Sequence, residues 1–181
     1  MRDQFQMRFI GLILLVAMLC SGCQHFIPAA PGLTSVTWPS LSYQRQDQVE
    51  VQWKDKSFSF LLYQQQNGSN LQLIALSLTG QQLFQLSFDG QHVIVEQRID
   101  QMKLLPFDYL LRDILYATYP DYKTQAHIKY DGNSSMVFIQ DHLILNILKH
   151  KDLIELNNIQ VPYQMTISPI TEVLEHDGGG T

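Results

Sequence analysis

From Val49 onward the chain alternates apolar and polar residues with a period of two, and this restricts it to sheet with one buried face. Val49, Val51 and Trp53 alternate with Glu50, Gln52 and Lys54. Phe58, Phe60 and Leu62 follow, then Leu71, Leu73 and Ala75, then Leu83, Phe84, Leu86 and Phe88, then Val93 and Val95. Asn67-Gly68, Asp89-Gly90 and Asp131-Gly132 read as favoured two-residue hairpin turns. Hairpins this closely spaced predict an antiparallel meander, because parallel strands need long crossovers.

The period changes once. Leu104-Leu105-Pro106 precedes Phe107, Leu110, Leu111, Ile114, Leu115 and Thr118 at helical spacing. Pro106 suits a first helical turn and Pro120 ends the helix. Burying five large apolar side chains is worth roughly 7–15 kcal/mol, so this helix must lie on the sheet. Asp108 and Arg112 stand four apart, the acid first, as an exposed pair would. Strand signals resume at His127–Tyr130 and continue through Met136–Ile139, Leu143–Leu148, Leu153–Leu156 and Ile159–Ile167. About ten short strands must curl or split to cover their apolar face. With one helix available, the expected fold is mainly β. It is a curved antiparallel sheet forming an incomplete barrel, with the helix packed on its concave face.

The beginning of the chain reads differently. Met1–Arg8 is mildly basic, Phe9–Leu19 is apolar, and Ser21-Gly22-Cys23 follows. The apolar run falls far short of the ~20 residues that span a bilayer. This order describes an export signal. It resembles the bacterial lipoprotein signal, and the resemblance implies that Cys23 is acylated and becomes the first mature residue. Cys20 stands where that family prefers Leu. More than one acyl chain makes anchoring stable. Gln24, in place of an Asp after the cysteine, implies sorting to the outer membrane. The expected division is a signal peptide at 1–22, a lipidated tether at 23–46, a β domain at 47–169 and a disordered tail at 170–181. About 17 flexible tether residues would reach on the order of 20–25 Å, and a short entry helix or strand near Leu41–Arg45 is left open as an alternative.

The chain has 12 Lys and Arg against 17 Asp and Glu, a net charge of −5 at pH 7. Loss of Arg2, Arg8 and Asp3 with the leader makes it one unit more acidic. This balance speaks against nucleic-acid partners. Cys20 and Cys23 are the only cysteines, so no disulfide, thiolate chemistry or Cys-based metal site is expected in the mature domain.

The stretch from Asn70 to Leu86, with Asp89-Gly90, Leu105-Pro106-Phe107 and Val161-Pro162-Tyr163-Gln164-Met165, resembles LolB, the outer-membrane lipoproteins that receive lipoproteins from the carrier LolA. It is closer still to short LolA/LolB-superfamily lipoproteins, some encoded beside genes for aryl-polyene pigments. The resemblance implies a hydrophobic cavity for an acylated or apolar envelope molecule, an outer-membrane anchor and a periplasmic carrier of LolA type as partner. It places Leu78 at a turn that in LolB faces the membrane. The concave-face residues that would line such a cavity are Phe58, Phe60, Leu73, Ala75, Phe84, Leu111 and Ile114.

Catalytic motifs are missing: no Gly-x-Ser-x-Gly elbow, no His-Glu-x-x-His, no phosphate loop. His92, His127, His142 and His150 lie in or beside strands without ligand spacing, as surface histidines do. Asp141 and His142 are adjacent and would point to opposite faces of a strand. Asp108 and Asp113 read as solvated charges or caps. Tyr109, Tyr116, Tyr119 and Tyr122 read as core and rim aromatics, or as a polar-tipped mouth to a cavity. No enzyme activity, cofactor or metal is expected. Two function classes remain: a carrier or acceptor of an apolar ligand, and a structural or interaction lipoprotein with a filled core.

Overall fold

A computed structural model of the chain describes residues 30–170. The signal peptide, Cys23 and most of the tail therefore lie outside the described residues. Ten strands form one antiparallel sheet: β1 (Leu41–Trp53), β2 (Lys56–Gly68), β3 (Asn70–Leu76), β4 (Gln82–Phe88), β5 (Val93–Arg98), β6 (His127–Asp131), β7 (Ser134–Ile139), β8 (His142–Lys149), β9 (Ile154–Asn158) and β10 (Tyr163–Pro169). A 3₁₀ turn at Asp100–Leu104 and the helix α1 (Phe107–Thr118) lie between β5 and β6. Pro106 caps α1 at its start and Tyr119 at its end, as the two prolines predict.

The strand order is β5-β4-β3-β2-β1-β10-β9-β8-β7-β6. Two five-strand meanders thus share the β1–β10 ladder, and α1 connects the two outer edges. The edges β5 and β6 do not pair, so the sheet is open. A straight row across it runs from Arg98 through Phe84, Ala75, Leu62 and Asp47 to Pro169. That row joins the last residue of β5 to the last residue of β10, so the strands are staggered, as the tilt of a barrel wall requires. Curvature shows in α1 as well, which touches both the edge strand β5 and the distant β9.

The hairpin loops fall one residue later than the sequence suggests. Asn67 pairs with Asn70 and Asp131 with Ser134, so the loops are Gly68-Ser69 and Gly132-Asn133. Each glycine takes a positive φ, 66° and 57°, at the first loop position. Asp89-Gly90 is the first half of a longer loop, since Phe88 pairs with Val93.

The tether boundary also needs correction. The sheet begins at Leu41 and not at 47, and residues 30–39 are docked on the body. Ala30 and Leu33 are buried. Ser35 N donates to Gly90 O and Val36 N to Lys123 O, each at 2.8 Å. This segment carries apolar residues without a period, so no alternation reveals it. At the other end Ile170 N donates to Gln46 O, which ties the first residue of the expected tail to the sheet.

Candidate functional site: the concave face, its helix and its strap

Helix α1 has nine buried residues among its twelve, so it runs inside the fold and not on its surface. On one side it meets aromatic side chains. Phe107 packs on Phe84 with ring centroids 5.0 Å apart, and Phe84 meets Phe60 edge-on at 5.3 Å. Phe60, Leu73, Ala75, Phe84, Leu111 and Ile114 are sealed from solvent and belong to one core cluster. The structure thus brings six of the seven expected cavity residues together, as core side chains packed with the helix. Phe58 stands apart. It is half-buried and lines an open surface pocket with Leu104 and Lys56.

The other side of α1 is polar. Arg112 Nε donates to Asp113 Oδ1 at 2.8 Å, and both side chains are fully buried. Asn158 Nδ2 donates to Asp113 Oδ2 at 2.6 Å, and the Tyr163 hydroxyl donates to the same oxygen. Asn158 Oδ1 accepts from Gln160 N and Val161 N, which closes the β9–β10 turn. Arg112 Nη1 donates to Gln160 Oε1 at 2.7 Å, and its guanidinium lies 5.0 Å from the Tyr109 ring centre. Arg112 Nη2 has no partner among the described residues. Burial pushes the Asp113 carboxyl above its ordinary range, against the pull of Arg112, Tyr163 and Asn158. Burial first, and Asp113 second, pushes the Tyr163 phenol well above its ordinary value.

Two sequence expectations are overturned here. Arg112 pairs with the neighbouring Asp113 and not with Asp108, and Asp113 is no solvated charge. The i,i+4 rule describes an exposed helix face. This helix is covered nearly all round, so Arg112 and Asp113 turn into the fold and satisfy each other.

A second polar group joins the far end of α1 to the sheet. Arg45 forms a two-point pair with buried Asp47, and Gln64 Nε2 donates to Asp47 Oδ2 at 3.2 Å. Gln66 Nε2 donates to Pro39 O and Gly68 O, and the Tyr119 hydroxyl donates to Gln66 Oε1. Trp38 stacks on Tyr119 at 5.0 Å and meets Phe88 edge-on at 5.0 Å. The strap that ends in Trp38 is gripped upstream as well. Arg112 Nη1 donates to Pro31 O and the Tyr116 hydroxyl to Gly32 O, each at 3.0 Å, and the Tyr122 hydroxyl donates to Leu33 O. The tyrosines singled out in the sequence therefore do separate work. Tyr109 lies under Arg112, Tyr119 sits in the core, and Tyr116 and Tyr122 hold the strap.

Leu78 is 65% exposed at the β3–β4 turn. His92, His127, His142 and His150 are exposed. Asp141 occupies the β7–β8 turn with a positive φ of 63°, and His142 begins β8. No group of three His, Cys, Asp or Glu able to hold a metal occurs among the described residues. No helix among them is long and apolar enough to cross a membrane. The helix and the apolar face were legible from periodicity. The Arg112–Asp113 pair and the strap were not, although two adjacent opposite charges inside an apolar helix could have signalled burial.

A family model matches residues 44–171, which is the sheet and its helix, and its description is a protein of unknown function (DUF3261). A search of the curated proteins finds no match.

Proposed function

The chain belongs to this DUF3261 family, and we propose, from the lipoprotein-like order of its first residues and from the geometry of its sheet, that it is an outer-membrane-anchored lipoprotein that accepts an acylated or apolar envelope molecule between the sheet and α1. One observation carries the reading: the sheet is open, and its concave apolar face is covered by a single helix connecting the two unpaired edges. Displacing one helix would uncover a continuous apolar surface without breaking a strand ladder. Acylation of Cys23 would hold the body where acylated molecules arrive, and a periplasmic carrier of LolA type is the fitting donor. The exposed Leu78 at the β3–β4 turn suits a turn that touches lipid.

The test is uptake of a fluorescent fatty acid by the mature chain carrying Cys23→Ser. Saturable uptake is expected, weakened more than folding by Leu73→Trp or Ala75→Trp. Absence of saturable uptake of any lipid tested would refute it. Separately, the wild-type chain should incorporate labelled palmitate and the Cys23→Ser form should not.

A second reading has its own support. Phe84 packs against both Phe60 and Phe107, as in a structural or interaction lipoprotein with a filled core. Under that reading the uptake experiment is negative while the palmitate experiment is positive.

A further inference from the structure

The face of the sheet turned away from α1 carries a groove of its own. Side chains that alternate with the buried rows of β7–β10 stand on this face. The pairing register sets Met136, Asn146, Asn157, Gln164 and Gln52 in one row that crosses from β7 to β1. Leu148, Glu155 and Thr166 stand in the next row. All of these except Gln52 line a groove of about 440 Å3, a volume in the range of small-molecule sites. Strand β8 is bulged beside it. Val137 pairs with Leu145 and Phe138 with Leu143, so Ile144 is an extra residue. A bulge bends its strand and re-aims the neighbouring side chains. The amides of the groove differ from those on the first half of the same face. There Gln82 donates to Gln85 and Gln97, and Gln85 donates to Glu96, so the side chains satisfy one another. Asn146, Asn157 and Gln164 make no side-chain hydrogen bond among the described residues, although Asn158, one position on, uses both ends of its amide.

We propose that this groove binds an uncharged oligosaccharide, an extended β-linked chain of neutral sugars lying across the strands. A free amide offers donors and an acceptor together. A sugar hydroxyl also donates and accepts, so an amide serves it in either role, whereas a carboxylate or an ammonium serves it in one. The three amides step across strands about 4.8 Å apart, close to the length of one sugar in such a chain, so each meets a successive sugar. Met136 at the end of the row and Leu148 alongside it give apolar surface for the C–H faces of the rings. No Lys or Arg is among the described residues that line the groove, which disfavours phosphate, nucleic acid and anionic lipid. Glu155 is the one ionisable side chain among them, 3.4 Å from His150, and its charge disfavours acidic sugars. An acyl chain would strip water from three amides without replacing their hydrogen bonds. A second copy of the chain would find no aromatic or Arg anchor among the lining residues. The same lack of rings means that sugars are held here by hydrogen bonds and not by stacking. The proposal is independent of the acceptor reading, because groove and helix lie on opposite faces of the sheet.

The experiment uses the mature chain from residue 23 with Cys23→Ser, titrated with N-acetylated chitohexaose and with cellohexaose. Binding is followed through the side-chain amide resonances of Asn146, Asn157 and Gln164. At least one of the two chains should shift these resonances saturably. Asn157→Ala with Gln164→Ala should weaken that binding at least about tenfold, through two lost hydrogen bonds. Both positions are exposed, so the melting temperature should stay close to that of the parent. Asn157→Asp, which keeps the size and loses the donor, should weaken binding severalfold and gives a second readout that does not shorten a side chain. Gln65→Ala with Gln72→Ala, a cross-strand pair on the first half of the same face, should bind as the parent does. Saturable binding of neither hexasaccharide overturns the proposal, as does affinity indifferent to the Asn157 and Gln164 substitutions. Tighter binding of an acidic chain, oligogalacturonate, than of either neutral one also overturns it. Sedimentation without sugar tests the remaining occupant: self-association that is abolished by Asn157→Ala with Gln164→Ala would assign the groove to a second copy and overturn the proposal.

Discussion

The two halves of the sheet hold the same helix by different means. In the first half, β1 and β2 are 13 residues each, and the concave rows of β1–β4 include Val49, Val51, Phe60, Leu62, Leu73, Phe84 and Leu86, all fully or almost fully buried. Helix α1 meets this half mainly through Phe107 on Phe84 at its start, with hydrogen bonds from Tyr43 and Gln64 to Thr118 only at its last turn. The second half has strands of five to eight residues, and its buried rows set Ser135, Asn158 and Tyr163 among apolar side chains such as Val137, Leu145, Leu156 and Ile167. Here α1 is held by Asp113 on Asn158 and Tyr163. Apolar contact is non-directional and is lost wholly when water enters. A hydrogen-bonded contact can exchange its partners for water at a small net cost. If the interior opens, the polar side parts first and α1 stays with β2–β5.

The comparison breaks most visibly at Leu111, on the apolar side of α1. Leu111→Asp would bury a carboxylate without a partner or expel the helix, and should cost roughly 4 kcal/mol or more. An unchanged melting temperature would show that this side is not a core. On the polar side, Asp113→Ala strands the Arg112 guanidinium and should cost about 3–5 kcal/mol. The double change Arg112→Met with Asp113→Leu sharpens the contrast. It removes both charges but leaves the buried Tyr163 hydroxyl and Asn158 Nδ2 without their acceptor, so it should cost less than Asp113→Ala without becoming stabilising, read by denaturant midpoint. A double variant as unstable as Asp113→Ala would mean that the polar side contributes through its geometry and not through a compensated charge.

Periodicity made the sheet legible because half of each strand faces the core, and Pro106 and Pro120 made α1 legible because each fits only at a helix boundary. The loops at Gly68-Ser69 and Gly132-Asn133 were displaced by one residue because Asn-Gly and Asp-Gly mark favoured dipeptides, while register is fixed by the buried rows on either side. The Arg112–Asp113 pair was misread because a pattern rule sees one element, and whether a helix is covered on one side or all round depends on what the chain does elsewhere. The strap was invisible for a related reason. Its grip runs through the carbonyls of Pro31, Gly32 and Leu33, which every sequence possesses.

The strap gives the next effect in size. A Cβ on Gly90 would lie 2.5 Å from Trp38 Cγ, and Gly90 has a φ of +96°. Gly90→Ala should therefore cost about 1–3 kcal/mol through strain and should also loosen Trp38. A rise in Trp38 fluorescence quenching by iodide, in step with the loss of stability, is the expected result. A stability loss without greater quenching would place the strain in the β4–β5 loop alone.

The smallest effect is a pH dependence in that same loop, which the strap touches. The Asp89 carboxylate accepts hydrogen bonds from His92 N and Gln91 N at 2.7 and 2.8 Å. These backbone donors, His92 first, hold its pKa below the ordinary 3.8. A carboxyl depressed in the fold contributes stability that is fully present above its unfolded pKa and is lost as pH falls through the folded value. Asp89 is largely exposed, so solvent screening keeps the contribution small. Asp89→Asn keeps an acceptor oxygen but removes the charge. Between pH 5 and pH 2 the wild type should lose slightly more stability than Asp89→Asn, measured as the difference in urea midpoint. Parallel acid curves for the two proteins would show that the loop is set by the strap's hold on Gly90 and not by this carboxylate.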